Sequence, residues 1–202
     1  MRLKIVQAGE AVLRQEAREL TREELDSAEI RQLIEWMRET MRDAPGVGLA
    51  APQVGLPLQL AVIEDRADLQ KAIAPERLAE RGRRPVPFHV VANPMLTHEG
   101  NPVEFFEGCL SVGGFTAIVP RAQFAHVECL NEHGEAVTID AEGWYARILQ
   151  HEIDHLHGRL YLDRMHSRSF MSVDNLTRHW NDLPIQEVKS RLGISESTTS
   201  EV

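Results

Sequence analysis

The sequence predicts an α+β fold in which antiparallel β-sheets surround a central α-helix. Short apolar segments, bounded by glycine, proline or polar residues, recur between positions 58 and 139 and predict strands. A longer segment at 143–157 has apolar residues at helical spacing and predicts the central helix. A chain of 202 residues can bury one substantial core, and nothing in its composition divides it into two.

A second, amphipathic helix is predicted at 26–43 and is expected to pack outside the central one. Its apolar residues recur at helical spacing, and they are Ile30, Leu33, Ile34, Met37 and Met41. Asp26 and Glu29 fit the two positions of a capping box at its start. The pair Pro45-Gly46 then stops the helix.

The predicted strands are short and either wholly apolar or alternately apolar and polar. They are 58–63, 88–91, 115–119, 123–130 and 136–139. The segment 66–85 between the first two is dense in mixed charge and is interpreted as a surface insertion. Its arginines either are solvated or contact an acidic partner, and the interspersed glutamates favour solvation.

Composition excludes several classes of function. The net charge of −9 argues against a nucleic-acid surface, which needs clustered lysine and arginine. No apolar run approaches the ~20 residues that span a bilayer, so no membrane segment is predicted. The first residues lack the apolar stretch of a secretory signal, and a cytoplasmic location is expected. In that reducing compartment the two cysteines are not expected to form a disulfide.

The segment His151-Glu152-Ile153-Asp154-His155 carries the strongest chemical signal. Two histidines four residues apart on a helix point the same way and can bind one metal ion. The glutamate between them can then take a proton from the water that the ion activates. Paired core histidines or a charged surface helix are the alternatives. Because the histidines continue the apolar stripe of Trp144 and Ile148, they need buried partners, which favours a metal.

The two cysteines have different surroundings. Cys129 alternates with polar residues in a predicted strand and is interpreted as a small core residue. Cys109 lies among glycines, a setting of close backbone approach rather than packing. A thiolate is a good third ligand for a soft or borderline metal, so Cys109 is a candidate.

Three separated segments carry a resemblance to a known family. They are Gly46-Val47-Gly48-Leu49-Ala50-Ala51-Pro52-Gln53, Glu107-Gly108-Cys109-Leu110-Ser111 and Gln150-His151-Glu152-Ile153-Asp154-His155. In this order the chain closely resembles peptide deformylases, from about Ile5 to Met165. The resemblance implies a catalytic domain at 1–165 and a C-terminal extension at 166–202. The extension is expected to be partly helical, with a disordered end at 195–202.

The resemblance also implies catalytic roles for the matching residues. The metal ligands would be Cys109, His151 and His155. Glu152 would be the general acid and base that serves hydrolysis of the formyl group. The side-chain amide of Gln53 and the backbone N–H of Leu110 would stabilise the oxyanion. In isolation, Gln53 would instead be interpreted as a loop amide that caps a turn.

Substrate-binding residues follow less directly. Gly48 would leave room for the substrate backbone, which a side chain would obstruct. Val47, Phe105 and Ile148 are candidates for the methionine pocket, although each fits equally well as core. Many bacterial relatives have an arginine seven residues after the motif cysteine that contacts the substrate, and this chain has Thr116 there.

The implied cofactor is one divalent metal ion, typically ferrous iron, with zinc, nickel or cobalt able to occupy the site. The implied partners are nascent polypeptides that begin with N-formyl-methionine, and formate is the product. Transient contact with the ribosome is compatible with this role. A basic docking tail is not evident, since residues 165–202 carry four basic and five acidic side chains.

Two alternatives belong to other classes of function. A metallopeptidase with the same helix motif would leave Cys109 and Gln53 unexplained, and Tyr161 occupies the position of the third histidine in one long peptidase pattern. A catalytically silent metal- or peptide-binding module is the other alternative. All six expected active-site positions are filled, which argues against loss of activity.

Overall fold

The computed structural model describes residues 1–194, whose strands form one antiparallel sheet. They are β1 (Gly48–Ala50), β2 (Leu60–Asp65), β3 (Val86–Cys109), β4 (Val112–Leu130), β5 (Ala136–Glu142) and β6 (Met171–Ser172). The first five lie side by side in chain order, and β6 pairs with the start of β4. The predicted α+β class is confirmed. The disordered end predicted at 195–202 lies outside the described residues.

A long hairpin of β3 and β4 replaces three of the short strands that the sequence predicted. Pairing in this hairpin is interrupted by bulges at Ala92/Met95 and at Glu99/Pro102. The second bulge accommodates the proline and a positive φ of 81° at Gly100. Because the polar residues around this bulge look like a loop in sequence, the prediction ended the strand too early.

The helices of the described chain vary widely in length. They are α1 (Arg22–Leu25), α2 (Ala28–Asp43), α3 (Ala67–Gln70), α4 (Pro75–Glu80), α5 (Gly143–Leu156), α6 (Val173–Asn175) and α7 (Ile185–Leu192), with a π-helical turn at Leu176–Trp180. The capping box predicted at the start of α2 is wrong, because Asp26 ends α1. Ser27 caps α2 instead, where its Oγ accepts a hydrogen bond from the N–H of Ile30 at 3.2 Å.

The sheet is packed between α2 on one face and α5 on the other. In β2, Ala61 and Ile63 pack in the cluster around α5, and Leu60 and Val62 pack in the cluster around α2. Strands of the sheet surround α5, so it is buried on every side from Ala146 to Leu156 rather than along one stripe. The predicted end of α5 is confirmed, since Gly158 follows it with a positive φ of 68°.

The insertion at 66–85 is partly helical and contains α3 and α4. Its Arg83 donates a hydrogen bond of 2.7 Å from Nε to the buried carboxylate of Asp65. Its Arg77 donates to the carbonyl groups of Asn181 and Leu183 in the C-terminal extension. These arginines therefore make contacts within the chain. Among residues 1–194, no helix combines the length and the apolar character needed to cross a bilayer.

Candidate metal centre

Cys109, His151 and His155 converge between β3 and α5. Cys109 ends β3, and the two histidines lie about one turn apart on α5. The Sγ atom of Cys109 lies 3.2 Å from Nε2 of His155, which lies 3.3 Å from Nε2 of His151. The three donor atoms all lie within 4.8 Å of one another. The fold thus brings together the ligands that were predicted from separate segments.

These separations suit a metal ion bound by one sulfur and two nitrogens. Tetrahedral ligands at typical metal–nitrogen and metal–sulfur bond lengths lie about 3.3–3.6 Å apart. The Nδ1 atom of His151 lies 2.5 Å from Oε1 of Glu107, which leaves Nε2 to face the other two donors. A hydrogen bond of this kind fixes the tautomer and orientation of a ligating histidine. The residues therefore fit a divalent ion.

The neighbouring imidazoles favour the thiolate form of Cys109. Burial by itself would raise the pKa of this thiol, but His155 and His151 outweigh that effect and lower the pKa to about 5. Burial has the opposite effect on a histidine and would lower the pKa of His151. The contacts of His151 with Cys109 and Glu107 outweigh burial and raise that pKa. A thiolate is the form of cysteine that binds metals, so the pocket prepares Cys109 for ligation.

Glu107 is a site residue that the sequence analysis missed. Its carboxylate is 6% exposed and accepts hydrogen bonds from Arg121 at 2.7 Å and from Arg147 at 2.9 Å, besides its contact with His151. Burial would raise the pKa of Glu107, but Arg121 and His151 lower it well below its usual value. The available signal was its spacing, because a residue two positions before Cys109 on a strand lies on the same face.

Asp154 anchors the helix that carries both histidines. Its carboxylate accepts two hydrogen bonds of 2.7 Å from Arg164, and a further one from Arg121. Arg121 lies on β4 and Arg164 follows α5, so Asp154 joins three parts of the chain. The aspartate of the helix motif thus holds α5 in place and does not itself join the group of donor atoms.

Glu152 is buried beside the donor atoms and directly against Gly48. A Cβ atom on Gly48 would lie 2.2 Å from Oε1 of Glu152, so only glycine leaves room for this carboxylate. The other oxygen, Oε2, has no hydrogen-bond partner within residues 1–194. Burial raises the pKa of Glu152, against the lowering effect of His151 and His155. A carboxylate with these properties can accept a proton and return it.

Gln53 and Leu110 flank Cys109. The Oε1 atom of Gln53 accepts the backbone N–H of Ala50 at 2.8 Å, which fixes the side-chain amide. Its Nε2 atom then lies 3.5 Å from the sulfur of Cys109 and 3.4 Å from Oγ of Ser111. Gln53 therefore both stabilises its own turn and presents a donor to the site. Leu110 follows Cys109 in the hairpin turn and, like Gln53 and Cys109, lines a cavity beside the donor atoms.

A cavity of about 380 Å³ opens onto these residues. Two of the predicted pocket residues, Val47 and Ile148, line it. Phe105 is not one of the lining residues, but its ring packs edge-on against the lining residue Trp144, with 6.3 Å between the ring centres. Its neighbour Phe106 lines the cavity instead. Adjacent strand residues point to opposite faces, so Phe105 and Phe106 face different surroundings, and the role of Phe105 stays a prediction.

Thr116 braces the hairpin next to the site. It is 4% exposed, and its Oγ1 donates a hydrogen bond of 2.9 Å to the carbonyl of Glu107. The side chain of Thr116 therefore makes an internal contact in the hairpin.

An α+β fold whose central helix carries two histidines and a buried glutamate, with a cysteine facing them, is typical of metal-dependent hydrolases. A family model described as polypeptide deformylase matches residues 2–170. The chain is 45% identical to the chloroplastic peptide deformylase 1A of Solanum lycopersicum, across 94% of this chain and 67% of the relative. It is 41% identical to the mitochondrial peptide deformylase of Homo sapiens, across 84% of this chain and 70% of the relative.

A solved structure agrees with these relatives. The peptide deformylase of Synechococcus elongatus, in complex with actinonin, superimposes with a TM-score of 0.69 and 38% identity and covers 82% of each chain. The chain belongs to the peptide deformylase family. It is therefore a metal-dependent hydrolase that removes the formyl group from N-formyl-methionyl polypeptides, as predicted, and not a metallopeptidase or a silent binding module.

Proposed function

We propose that Cys109, His151 and His155 hold the catalytic metal ion of this deformylase, and that Glu152 carries the proton during hydrolysis. The convergence of three donor atoms beside a buried carboxylate supports this assignment most strongly. Buried polar atoms without partners are costly, and Oε2 of Glu152, beside the donor atoms, lacks a partner in the described chain. A bound ion lowers the cost of burying the three donor groups.

The chain's own residues then divide the reaction between them. When bound, a divalent ion supplies Lewis-acid activation of water and of the formyl oxygen. Glu152 takes a proton from the attacking water and passes it to the departing amine. The side-chain amide of Gln53 and the backbone N–H of Leu110 donate hydrogen bonds to the oxyanion. Formate and a polypeptide with a free N-terminus are released.

The cavity beside the donors accepts the methionine side chain. Val47, Phe106 and Ile148 supply apolar walls. Phe105 supports the pocket from behind, through its contact with the lining residue Trp144. Gly48 serves two purposes in this proposal, because it accommodates Glu152 and leaves the substrate backbone free to approach.

Ferrous iron is the resident ion in this proposal, and metal analysis with a formate-release assay tests it. Cysteine and histidine donors suit iron, zinc, nickel and cobalt, so availability in the cell decides which ion is bound. Protein purified without oxygen is expected to contain about one iron per chain and to release formate from formyl-Met-Ala-Ser. A chelator is expected to abolish release and added ferrous iron to restore it. Full activity of metal-free protein would contradict the proposal.

Replacing Cys109 tests thiolate ligation separately from activity. Cys109→Ser is expected to weaken metal binding by more than about 100-fold, which exceeds the effect of altering a residue that only orients a ligand. The matched control is Cys129→Ser, because Cys129 is buried in the core away from the donor atoms. Metal titration with a competing chelator measures both variants. Equal metal affinity in the two would rule out ligation by Cys109.

The division of the chain and its cellular setting are also proposals. A catalytic domain at 1–165 with an extension at 166–202 is supported by the family match, which ends at residue 170. The cytoplasmic location needs fractionation of the source cells, since both relatives named above belong to organelles. Transient ribosome contact is supported only by the nascent state of the substrate, and co-sedimentation at low salt tests it.

A further inference from the structure

An aromatic pair lies exposed at the edge of the active-site cavity. Phe115 of β4 and Phe170 of the C-terminal extension stack with 5.0 Å between their centres and 8° between their planes. They are 43% and 40% exposed, and Val173 of the extension is 44% exposed. Phe115 and Val173 both line the cavity that contains Cys109 and Glu152. Three exposed apolar side chains thus continue the active-site surface outward.

Backbone pairing and buried contacts hold these three side chains in place. Strand β6 pairs with β4 so that Phe115 lies opposite Ser172, directly before Val173. The buried hydroxyl of Ser169 accepts the N–H of Ile118 at 2.8 Å, which fixes the chain next to Phe170. The platform of Phe115, Phe170 and Val173 is therefore a built surface and not a set of loose side chains.

The platform lies within reach of a substrate that is bound at the metal centre. Neighbouring strands are about 4.8 Å apart, so β4 lies one spacing and β6 about 10 Å from the strand that ends at Cys109. An extended peptide advances about 3.3 Å per residue, so its second and third residues lie about 7–10 Å beyond the formyl group.

We propose that this platform binds an apolar side chain at the second or third residue of the substrate, so that the C-terminal extension contributes to sequence preference. The proposal rests on the assignment of the metal centre as the deformylation site. Phe115 and Val173 make the contact, and Phe170 holds the ring of Phe115 from behind. Continuity with the catalytic cavity identifies the occupant as the substrate chain.

Two pairs of peptides test the proposal. Formyl-Met-Ala-Phe is compared with formyl-Met-Ala-Ser for the third residue, and formyl-Met-Phe-Ser with formyl-Met-Ala-Ser for the second. The wild-type enzyme is expected to have a kcat/KM about fivefold higher for the apolar member of at least one pair. The difference should come from a lower KM. Phe115→Ala and Val173→Ser are each expected to bring that ratio close to one. Val173→Ser changes an exposed side chain and keeps the test valid if Phe115→Ala fails to fold.

The control variant is Phe124→Ala, on the same strand and 39% exposed but outside the lining of the catalytic cavity. It is expected to keep the wild-type ratio. Binding of the product peptides Met-Ala-Phe, Met-Phe-Ser and Met-Ala-Ser to the metal-loaded protein, measured by calorimetry, gives the same comparison without turnover. The proposed role of the platform would be overturned if the ratio of kcat/KM values within each peptide pair were the same in the wild type and in both variants. Preserved binding preference without formate release would instead overturn the assigned reaction.

Discussion

Gly48 and Glu152 form a unit in which the absent side chain of one residue makes room for the carboxylate of the other. The ideal Cβ position on Gly48 falls 2.2 Å from Oε1 and 2.6 Å from Cδ of Glu152. Real Cβ atoms do not approach other atoms that closely, so the carboxylate must move if Gly48 is replaced. The position of the Glu152 carboxylate therefore depends on a residue of β1 that carries no functional group.

Gly48→Ala is expected to lower kcat by about 100-fold, because a displacement of about 1 Å in a catalytic group has an effect of that size. The metal content should stay at the wild-type level, since no ligand is altered. Gly113→Ala is the control, because its Cβ would meet only the flexible side chain of Gln7, at 3.4 Å. Kinetics and metal analysis of both variants make the comparison. A wild-type kcat in Gly48→Ala would show that the carboxylate has room to spare.

Glu152→Gln is expected to keep the metal and lose the proton transfer. The amide has the shape of the carboxylate but cannot accept the proton, so kcat should fall by about 10²–10⁴-fold. Metal content and thermal stability should match the wild type, because Glu152 is not one of the three donors. Unchanged turnover on formyl-Met-Ala-Ser would refute its assigned role.

At the scale of single residues, the sequence was enough to locate those site residues whose positions depend only on local spacing. Histidines four apart on a helix share a side whatever surrounds the helix, so His151, His155 and Glu152 could be placed in advance. Phe106 and Glu107 could not, because their roles depend on which face of β3 meets α5. The exclusion of a side chain at Gly48 is also a tertiary contact, invisible before the helix is positioned.

At the scale of elements, buried charge joins α5 to the β3–β4 hairpin. Glu107 contacts His151 and two arginines, and all four residues are at most 9% exposed. The carboxylate is therefore a structural link between the hairpin and the helix as well as a support for His151. Removing its charge should affect the fold and the metal site together.

Glu107→Gln is expected to lower the free energy of unfolding by about 3 kcal/mol, because it leaves the buried guanidinium group of Arg147 without a carboxylate and that of Arg121 with Asp154 alone. Metal affinity should also fall by about 10–100-fold through the weaker support of His151. Urea unfolding of the metal-free protein and chelator competition measure the two effects. Glu99→Gln, at an exposed position of the same strand, should change either quantity little. Loss of stability with unchanged metal affinity would leave Glu107 only a structural role.

Elements were predictable where one periodic signal covered them. The range of α5 was correct to within one residue, because its helical spacing ended at a glycine with positive φ. The hairpin was not predicted, since its bulges place polar residues in the middle of a strand. The two helices of the insertion were missed for a similar reason: short helices with exposed charges look like a loop in sequence.

At the scale of the whole molecule, a buried ion cluster attaches the C-terminal helix α7 to strand β3. Lys189 of α7 donates to the carboxylate of Glu104 on β3, and His166 lies 2.6 Å from the same carboxylate. Lys189 is only 4% exposed, so its charge depends on this partner. The sequence indicated a short helix here but not its docking site, because a lysine on a polar helix gives no sign of burial.

Glu104→Gln is expected to destabilise the docked extension by about 3 kcal/mol, since it leaves the ammonium group of Lys189 buried without its partner. Burial would raise the pKa of Glu104, but Lys189 and His166 lower it below its ordinary value of 4.5. A carboxylate whose pKa is lowered by folding contributes its full stabilisation at pH values above its ordinary pKa of 4.5. Its contribution is lost as the pH falls through the lowered pKa. The difference between wild type and variant should therefore be constant at neutral pH and vanish in acid.

Hydrogen exchange of the amides of α7, followed from pH 7 into the acid range, measures this difference locally. The control is Glu187→Gln, which removes an exposed pair with Arg191 within the same helix and should cost less than about 0.5 kcal/mol. Release of the extension should also weaken the platform at the cavity edge, because both lie on the same C-terminal segment. An equal effect of the two substitutions on exchange would mean that apolar packing of α7, and not the buried cluster, holds the extension.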